Sequence, residues 1–438
     1  MTTAKWPTIR VSELVSSNEA EIKTGPFGTQ LKASSYIEVG TPVINVRNIG
    51  FGDVRKDNLE FIGDETVKRL SSHLLRQEDI VFGRKGAVER HAFIRNAEDR
   101  WFQGSDCLRL RLKSPHVLPR FVSYFLLTRE HQEWMLQQGS HGATMASLNQ
   151  DIVGRIEFPL PDINTQRRIA SILSAYDDLI ENNTRRIAIL EEMARRIYEE
   201  WFVRFRFPGH EKVRMVESEP GSVPEGWGLT TLASVCVPGD GIQTGPFGSQ
   251  LHKADYSDEG VPVLMPKNLV GFRIETDGIA RIPEVLAERL VRHRVKPGDI
   301  VYGRRGDIGR RAYIMSDQAG WFCGTGCLRI RPNPKEVNGW YLFNFIGQDN
   351  VVGLIAGRAH GVTMPNLNAK LMESIPVVRP PREIQDRYEE ITFPMTSLRE
   401  KLSETSRVLR ATRDLLLPRL ISGELDVSEL PEPESAAA

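Results

Sequence analysis

The chain contains an internal repeat in which matching segments lie 220 positions apart. The segment Thr24-Gly-Pro-Phe-Gly-Thr-Gln-Leu31 recurs as Thr244-Gly-Pro-Phe-Gly-Ser-Gln-Leu251. The further matches are Tyr36 with Tyr256, Asp79-Ile-Val81 with Asp299-Ile-Val301, Gly83-Arg84 with Gly303-Arg304, Cys107-Leu-Arg109 with Cys327-Leu-Arg329 and, after a slip of one residue, His141-Gly142 with His360-Gly361. This period is far longer than that of a solenoid, so each copy is predicted to be a whole domain with its own core.

Within one copy, short apolar runs are bounded by Gly, Pro and Asn, which is typical of strands. The predicted strands are Thr41–Val46, Asp79–Gly83, Ala92–Arg95 and Leu108–Leu112. Aromatic-rich segments near Pro119–Gln137 and Asn338–Gly347 are predicted to be helices. Each copy is therefore predicted to be a mixed α/β globule.

A heptad pattern follows each globule, with apolar or neutral positions that alternate in steps of four and three. In the first segment they are Ile169, Leu173, Tyr176, Ile180, Asn183, Ile187, Leu190, Ala194, Ile197 and Trp201. In the second they are Ile384, Tyr388, Ile391, Met395, Leu398, Leu402, Thr405, Leu409, Thr412 and Leu416. The pattern predicts two coiled-coil helices, each roughly 60 Å long. The alternative is that each helix packs only on its own globule.

Two residues interrupt these apolar patterns. Asn183 is predicted to fix the register of the coil at some cost in stability. Pro394 lacks a backbone N–H and collides with the preceding turn, so a kink or a restart of the second helix is expected there.

Composition limits the class of protein. A chain of 438 residues is too long for one compact core, and it has no apolar run long enough to cross a membrane. We find no export signal, and Cys107, Cys236, Cys323 and Cys327 are too few for a disulfide framework, so we expect a cytoplasmic protein with buried cysteines. We expect no metal site, because Cys323 and Cys327 have no second ligand pair at a suitable spacing.

The net charge is zero, but cations are concentrated where each copy has a glycine turn after a predicted strand. Arg84-Lys85-Gly86 matches Arg304-Arg305-Gly306. Glycine lets the backbone approach a phosphate, and paired cations add charge-assisted hydrogen bonds. Arginine also grips guanine through two hydrogen bonds, as asparagine or glutamine does with adenine.

These considerations select a set of candidate DNA-binding residues from both copies. The set is Gln30, Arg47, Asn48, Arg84, Lys85, Arg90 and Thr144 in the first copy, and Gln250, Lys267, Asn268, Arg304, Arg305, Arg310 and Thr363 in the second. Residues shared by the copies equally fit a common scaffold, in which case the residues that read sequence are those that differ. The turn Gly25-Pro26-Phe27-Gly28 is interpreted as rigid, with a buried phenylalanine near the DNA backbone.

No catalytic motif stands out. The glycine turns lack the Lys-Ser/Thr pair of a phosphate-binding loop, and no Ser/Asp partners surround His141 or His360. We find no nuclease, helicase or nucleotide-binding motif and no motif of the amino-methyltransferases. We therefore expect no catalytic site in this chain.

The layout resembles the specificity subunit of type I restriction-modification enzymes over nearly the whole chain. Two motif sets carry the resemblance, one at each long helix. The first comprises Pro159-Leu-Pro161, Gln166-Arg-Arg-Ile-Ala170, Asp177-Asp-Leu-Ile180 and Glu200-Trp-Phe-Val-Arg-Phe205; the second comprises Pro380-Pro381, Gln385 and Leu416-Leu-Pro-Arg-Leu-Ile-Ser-Gly-Glu424.

The resemblance implies two target-recognition domains held apart by two antiparallel helices. The expected layout is a recognition domain at 1–160, a central helix at 161–207, a second recognition domain at 208–380, a C-terminal helix at 381–423 and an acidic flexible tail at 424–438. Each domain then reads one half of a bipartite, asymmetric site in double-stranded DNA, and the helices measure the unread spacer. Two methylation subunits dock on this chain and motor-nuclease subunits join them. Those partners supply S-adenosylmethionine, ATP, Mg²⁺ and the catalytic residues.

Three other functions remain open at this point. The chain could itself be an enzyme, such as a fused methyltransferase or nuclease. It could be a helical adaptor with two peptide-binding globules, which predicts no salt-dependent affinity for DNA. It could also serve a different restriction class or a system that only methylates.

Overall fold

The computed structural model describes residues 6–27, 29–139, 147–218, 221–247, 250–270, 273–359 and 366–429. The chain divides into two compact units. The first comprises Met1–Asn182 and Thr405–Ala438, and the second comprises Asn183–Glu404. Each unit therefore contains one copy of the repeat together with part of each long helix.

A four-stranded antiparallel sheet lies at the centre of the first globule. Its strands, in spatial order, are Ala20–Thr24, Cys107–Leu112, Ile80–Gly83 and His91–Phe93. Ile80 and Phe82 belong to one apolar core, and Val81 belongs to another. Because both faces of this sheet are buried, the central strand is a continuous apolar run without alternation.

A second sheet packs beside it. Its strands are Tyr36–Ile37, Glu60–Ile62, Thr41–Ile44 and Phe102–Gln103, again in spatial order. The pairing of Thr41–Ile44 with Phe102–Gln103 is parallel. The globule therefore mixes parallel and antiparallel pairing, as the predicted mixed fold class requires.

The second globule repeats this topology. Its four-stranded sheet has the order Ile242–Thr244, Cys327–Ile330, Ile300–Gly303 and Arg311–Tyr313. Its second sheet has the order Arg281–Ile282, Val261–Leu264 and Phe322–Cys323, with a parallel pair between the last two. The prediction of two similar α/β globules is confirmed.

Short elements complete each globule. In the first they are strands Thr8–Arg10 and Glu157–Pro159, which pair, helices Val11–Ser16, Asp64–Arg69, Pro119–Leu126, Arg129–Gly139 and Gln150–Gly154, and 3-10 turns Ala33–Ser35, Val46–Asn48, Ser71–His73 and Asn96–Glu98. In the second they are strand pairs Gly228–Thr231 with Pro376–Arg379, Met215–Ser218 with Gly221–Pro224 and Leu269–Val270 with Arg273–Ile274, helices Glu284–Arg289, Gly339–Phe345, Asp349–Arg358 and Ala369–Glu373, and 3-10 turns His210–Lys212, Ala233–Val235, Lys253–Asp255, Pro266–Asn268, Val291–His293 and Ser316–Gln318.

Two long helices follow the globules, as the heptad patterns predict. The first is Ile163–Tyr198, which continues into a π-helical turn at Glu199–Val203, and the second is Arg382–Ile421. At 1.5 Å per residue they are about 54 and 60 Å long. None of the helices among the described residues is both long and apolar enough to cross a membrane.

The two long helices pack on each other in an antiparallel sense within each unit. In the first unit, Ile169 and Leu173 share an apolar cluster with Leu420. Further along the first helix, Asp177 pairs with Arg413, which lies earlier on the second helix. This argues against the alternative in which each helix packs only on its own globule.

The same antiparallel sense is found in the second unit. Tyr198 lies 6.0 Å from Tyr388 between ring centroids, and Glu191 pairs with Arg399 at 3.3 Å. The earlier residue of the first helix again meets the later residue of the second. The prediction of antiparallel long helices is confirmed in both units.

The predicted seam of the coil is correct for the first helix and partly wrong for the second. The buried predicted residues are Ile169, Leu173, Ile180, Asn183, Trp201, Tyr388 and Leu402, and those that are half-buried are Tyr176, Ile187, Leu190, Ile384, Leu409 and Leu416. Leu398, however, is 38% exposed, and Arg399 contacts the first helix instead. One residue after the predicted position, Arg399 and Arg413 pair with the first helix, which an apolar pattern does not reveal.

The second long helix continues through Pro394 without a break. The expected restart is therefore wrong. Pro394 lies on the exposed face of the helix. On the buried face, Thr392 donates a side-chain hydrogen bond to the carbonyl of Tyr388 at 2.7 Å. A proline on the outer face of a helix loses one backbone hydrogen bond but leaves the seam intact.

Candidate nucleic-acid interface

The repeated motifs meet at one edge of each four-stranded sheet. In the first globule, the strand that ends at Thr24 and the strand that ends at Gly83 flank the strand that begins at Cys107. The Gly25 N–H donates to the carbonyl of Cys107 at 2.9 Å, and the Arg84 N–H donates to that of Asp106 at 2.8 Å. Segments far apart in the sequence are thereby joined at this edge.

The second globule builds the same edge from the matching residues. The Gly245 N–H donates to the carbonyl of Cys327, and the Arg304 N–H to that of Gly326, both at 2.9 Å. In each copy the carbonyl of the arginine accepts a hydrogen bond from a leucine N–H, that of Leu148 or Leu367. We call this edge the motif edge. It is formed by residues 24–27, 84–86 and 147–149 in the first globule and by 244–247, 304–306 and 366–368 in the second.

The cationic turns have the geometry that their glycines predict. Gly86 and Gly306 have φ angles of +80° and +75°, a left-handed conformation that favours glycine. Lys85 and Arg305, one residue earlier, are exposed, and Lys85 lies 3.4 Å from Asp106. These turns present exposed cations at the motif edge of both globules.

Arg304 differs from its counterpart Arg84. The Arg304 side chain is only 4% exposed, whereas Arg84 is half-buried. Arg304 donates to the side chain of Asn366 at 3.2 Å, and its guanidinium carbon lies 5.7 Å from the ring centroid of Phe247. Its Nε and Nη1 have no hydrogen-bond partner within the described part of the chain. Burial, together with the nearby charge of Arg305, lowers the pKa of this guanidinium.

The phenylalanines of the motif edge are exposed, which corrects the expectation that they are buried. Phe27 is 62% exposed and Phe247 is 55% exposed. The turn itself is tightly held, because a Cβ atom added to Gly25 or Gly245 would lie 1.9 Å from the carbonyl oxygen of Gly104 or Gly324. Gly25 and Gly245 therefore leave no room for a side chain, whereas the phenylalanine rings face outward.

Two candidate residues, Asn48 and Asn268, belong to the scaffold. Both are buried. The Asn48 carboxamide accepts from the N–H of Asn45 and donates to the carbonyls of Arg55 and Asp57 at 3.0 and 3.1 Å. Asn268 makes the matching bonds with the N–H of Met265 and the carbonyl of Glu275. Burial and these hydrogen bonds give both side chains a role in the scaffold and argue against the expected adenine contact.

The remaining candidates are exposed or half-buried, or lie outside the described residues. Gln30, Arg47 and Lys267 are exposed, and Arg47 pairs with Glu60 at 2.9 Å. Gln250 is half-buried and accepts from Arg292 at 3.4 Å. Arg90 lies 5.2 Å from the centroid of the Phe51 ring and beside Glu89, and Arg310 pairs with Asp307 at 2.7 Å. Thr144 and Thr363 fall outside the described residues, as do His141 and His360.

Other arginines shared by the copies hold the scaffold together. Arg111 donates two hydrogen bonds to the buried carboxylate of Asp79, at 2.6 and 2.7 Å, and Arg331 does the same with Asp299 at 2.7 and 2.8 Å. The nearly inaccessible Arg329 pairs with Asp240. Agreement between the copies thus marks structural ion pairs as well as the motif edge.

The four cysteines are buried and free, which confirms the prediction of their burial. Burial raises the pKa of the Cys107 thiol to about 12, so this thiol is protonated at neutral pH. Among the described residues, no group of three or more His, Cys, Asp or Glu side chains is arranged to hold a metal ion.

Comparison with known proteins gives consistent matches. A family model described as the type I restriction modification DNA specificity domain matches residues 6–192 and 288–404. Two similar proteins of Methanocaldococcus jannaschii are the MjaIX specificity subunit of a type I restriction enzyme and the putative MjaX specificity subunit. The MjaIX subunit is 25% identical over 72% of this chain and 71% of its own length. The MjaX subunit is 21% identical over 89% of this chain and 88% of its own length.

A solved structure has the same fold. The S subunit of a type I restriction-modification system from M. genitalium matches with a TM-score of 0.66 and 16% identity, over 96% of this chain and 97% of that one.

Proposed function

Because the chain belongs to the type I restriction-modification DNA specificity family, whose members recognise DNA sequence and are not catalytic, we propose that its two globules each read one half of a bipartite, asymmetric site. The duplicated motif edge is the observation that carries this proposal. Each copy holds a cationic glycine turn and an exposed aromatic ring at the same edge of the same sheet. Two such surfaces are suited to two separate stretches of double-stranded DNA.

We propose that the long helices set the spacer between the two half-sites. They are about 54 and 60 Å long, more than one turn of B-DNA at about 34–36 Å. The ion pairs Asp177–Arg413 and Glu191–Arg399 join the two helices, one pair in each unit, and fix the register of one helix against the other. A fixed register is what a spacer of defined length needs.

We further propose that two methylation subunits dock on these helices and that motor-nuclease subunits join through them. Large apolar side chains remain exposed on both helices, where a partner protein can bury them. They are Leu179, Ile189, Met193, Leu398, Val408 and Leu415. The partners supply S-adenosylmethionine, ATP and Mg²⁺, and the complex acts in the cytoplasm as a DNA adenine methyltransferase and ATP-dependent endonuclease.

Methylome sequencing tests the proposal directly. The chain is expressed with its methylation subunit in a host that lacks adenine methylation, beside a host that receives the methylation subunit alone. We expect a gapped motif with two fixed halves, and only when the chain is present. A continuous palindrome, or the same motif without the chain, contradicts it.

Assays of the purified chain separate the proposal from the two unrelated functions. Methylation or cleavage of DNA by the chain alone, with cofactors supplied, supports a fused enzyme and contradicts a pure specificity subunit. DNA affinity that does not fall as salt rises supports the adaptor, since phosphate contacts release counterions and make binding salt-dependent.

A further inference from the structure

The exposed phenylalanines of the motif edge have no role in the fold that explains their position. Burying a Phe side chain is favourable, and both copies leave more than half of the side chain in solvent. Phe27 and Phe247 are among the most exposed large apolar side chains of the described residues. The exposure recurs at the matching position of both copies, so it belongs to the repeated motif edge and not to one surface alone.

Each ring is held on a preorganised backbone. The carbonyl of Phe27 accepts hydrogen bonds from the N–H groups of Gln30 and Leu31, at 2.7 and 3.1 Å. The carbonyl of Phe247 accepts from Gln250 and Leu251, at 2.8 and 3.2 Å. The glycine two residues before each ring is also packed closely against a neighbouring carbonyl, so little conformational entropy is lost when the ring makes a contact.

In the second globule a buried cation supports the ring. Arg304 lies against Phe247, is fixed by Asn366 and keeps two N–H groups without a partner among the described residues. The residue that corresponds to Asn366 in the first copy is Ser147, on the basis of the bridges Arg305–Asn366 and Lys85–Ser147. The cation and the ring therefore form a unit that is fixed more firmly in the second copy.

We propose that Phe27 and Phe247 contact DNA directly, each placing its ring against apolar groups at the groove edges of the bases, such as the thymine C5-methyl, in the half-site that its globule reads. This inference rests on the proposed function, because it assumes that the motif edge faces DNA. The ring supplies an apolar contact, and the cations around it bind phosphate. The two contributions differ in their response to salt, since an apolar contact releases no counterions.

The test uses the complex of the full chain with its methylation subunit and a duplex that carries the gapped motif from the methylome. Phe247→Ala is expected to weaken binding about 10- to 150-fold, the range for loss of one Phe side chain that is buried on binding. The slope of affinity against salt concentration is expected to stay unchanged. Phe247→Leu, which keeps an apolar side chain, is expected to retain part of the affinity. Phe27→Ala is expected to act in the same way on the other half-site.

A scrambled half-site assigns each effect. When the half read by the second globule is scrambled, the affinities of Phe247→Ala and the wild type are expected to converge, while Phe27→Ala still weakens binding. Val285→Ala, a change at a 79% exposed residue on Glu284–Arg289, serves as the control and is expected to have no effect.

Two results overturn the inference. One is unchanged affinity in a variant that still assembles with the methylation subunit. The other is lost assembly without lost affinity, because the ring then contacts protein. Either result leaves the proposed function intact if the wild type binds the gapped duplex, whereas a wild type that ignores the gapped motif refutes the proposed function itself.

Discussion

The carboxylate of Asp177 accepts a hydrogen bond from Arg413 at 2.7 Å, and this contact joins the two long helices in the first unit. The same carboxylate accepts from the hydroxyl of Tyr124 at 2.7 Å and from Arg120 at 3.1 Å, and both belong to helix Pro119–Leu126. One side chain therefore links the first globule to both long helices.

We expect Asp177→Asn to destabilise the first unit by about 2–4 kcal/mol, because it removes the counter-charge of the largely buried Arg120 and leaves Arg413, within the described residues, paired with the exposed Asp414 only. Thermal unfolding followed by calorimetry measures the loss. Glu191→Gln is the matched control, since the Glu191–Arg399 pair is more exposed and is expected to contribute less than about 1 kcal/mol. Equal losses in the two variants would contradict this account.

The seam of the coil shows what an apolar pattern predicts and what it misses. The pattern identifies the heptad position of Tyr388, Leu402 and Leu409, because these residues are apolar. The neighbouring position carries Arg399 and Arg413, whose stems pack in the seam while their charged ends pair with the first helix. The sequence alone places Leu398 in the seam because it is apolar. It does not show that Arg399 pairs with the first helix, because that depends on the residues of the facing helix.

The sequence predicts that the motif edge is present in both copies. It does not predict which side chains of that edge are exposed and which are buried. The duplicated turns and the left-handed glycines follow from the sequence. The exposure of Phe27 and the burial of Asn48 do not, because each depends on loops that are distant in sequence. Aromatic residues are more often buried and asparagines more often exposed, so the usual expectation is wrong for both residues.

Two of the buried histidines of the first globule, His91 and His131, predict sensitivity to acid. Burial lowers the pKa of His91 to about 3, with the charges of His131 and Arg120 adding to it, and burial lowers that of His131 to about 4. An unfolded histidine has a pKa near 6.5, so below this pH the unfolded chain binds protons that the folded chain does not. Stability is therefore complete above about pH 6.5 and falls as pH drops toward 4.

We expect each of these two histidines to remove on the order of 1 kcal/mol of stability per pH unit within that window. Hydrogen exchange at pH 7 and pH 5, corrected for intrinsic rates, measures it through peptides of strand His91–Phe93. His91→Asn, which retains a polar group beside Ser123, is expected to flatten the pH dependence. A slope that is the same in the variant and the wild type would rule out His91 as a cause.

Gly25 is predicted to tolerate substitution far less well than Gly86. Gly25→Ala places a methyl group 1.9 Å from the Gly104 carbonyl oxygen, so the backbone must move, at a cost of at least about 2 kcal/mol. Gly86→Ala meets nothing within 4 Å among the described residues and costs roughly 1–2 kcal/mol for its left-handed backbone alone. Chemical unfolding of the two variants compares the costs. A larger loss for Gly86→Ala would show that the packing of the Gly25 turn is looser than the structure indicates.

The cationic turns provide the last prediction, which separates the two globules. We expect the double variant Arg304→Ala and Arg305→Ala to weaken binding to the half-site of the second globule and to spare the other half, and the double variant Arg84→Ala and Lys85→Ala to do the reverse. Each lost phosphate contact is expected to reduce the slope of log affinity against log salt concentration by about 0.9. Titrations between 50 and 200 mM salt, roughly the range over which such slopes are resolved, measure it with duplexes in which one half is scrambled.

Arg304 is expected to deviate from a pure phosphate contact. Its guanidinium is buried against Phe247, so single substitution of Arg304 should lower affinity with a smaller change of slope than substitution of the exposed Arg305. Arg129→Ala, at an exposed position on Arg129–Gly139, is the control for a simple loss of positive charge. Equal loss at both half-sites from either double variant would mean that the globules do not read DNA independently, since each turn belongs to a separate compact unit.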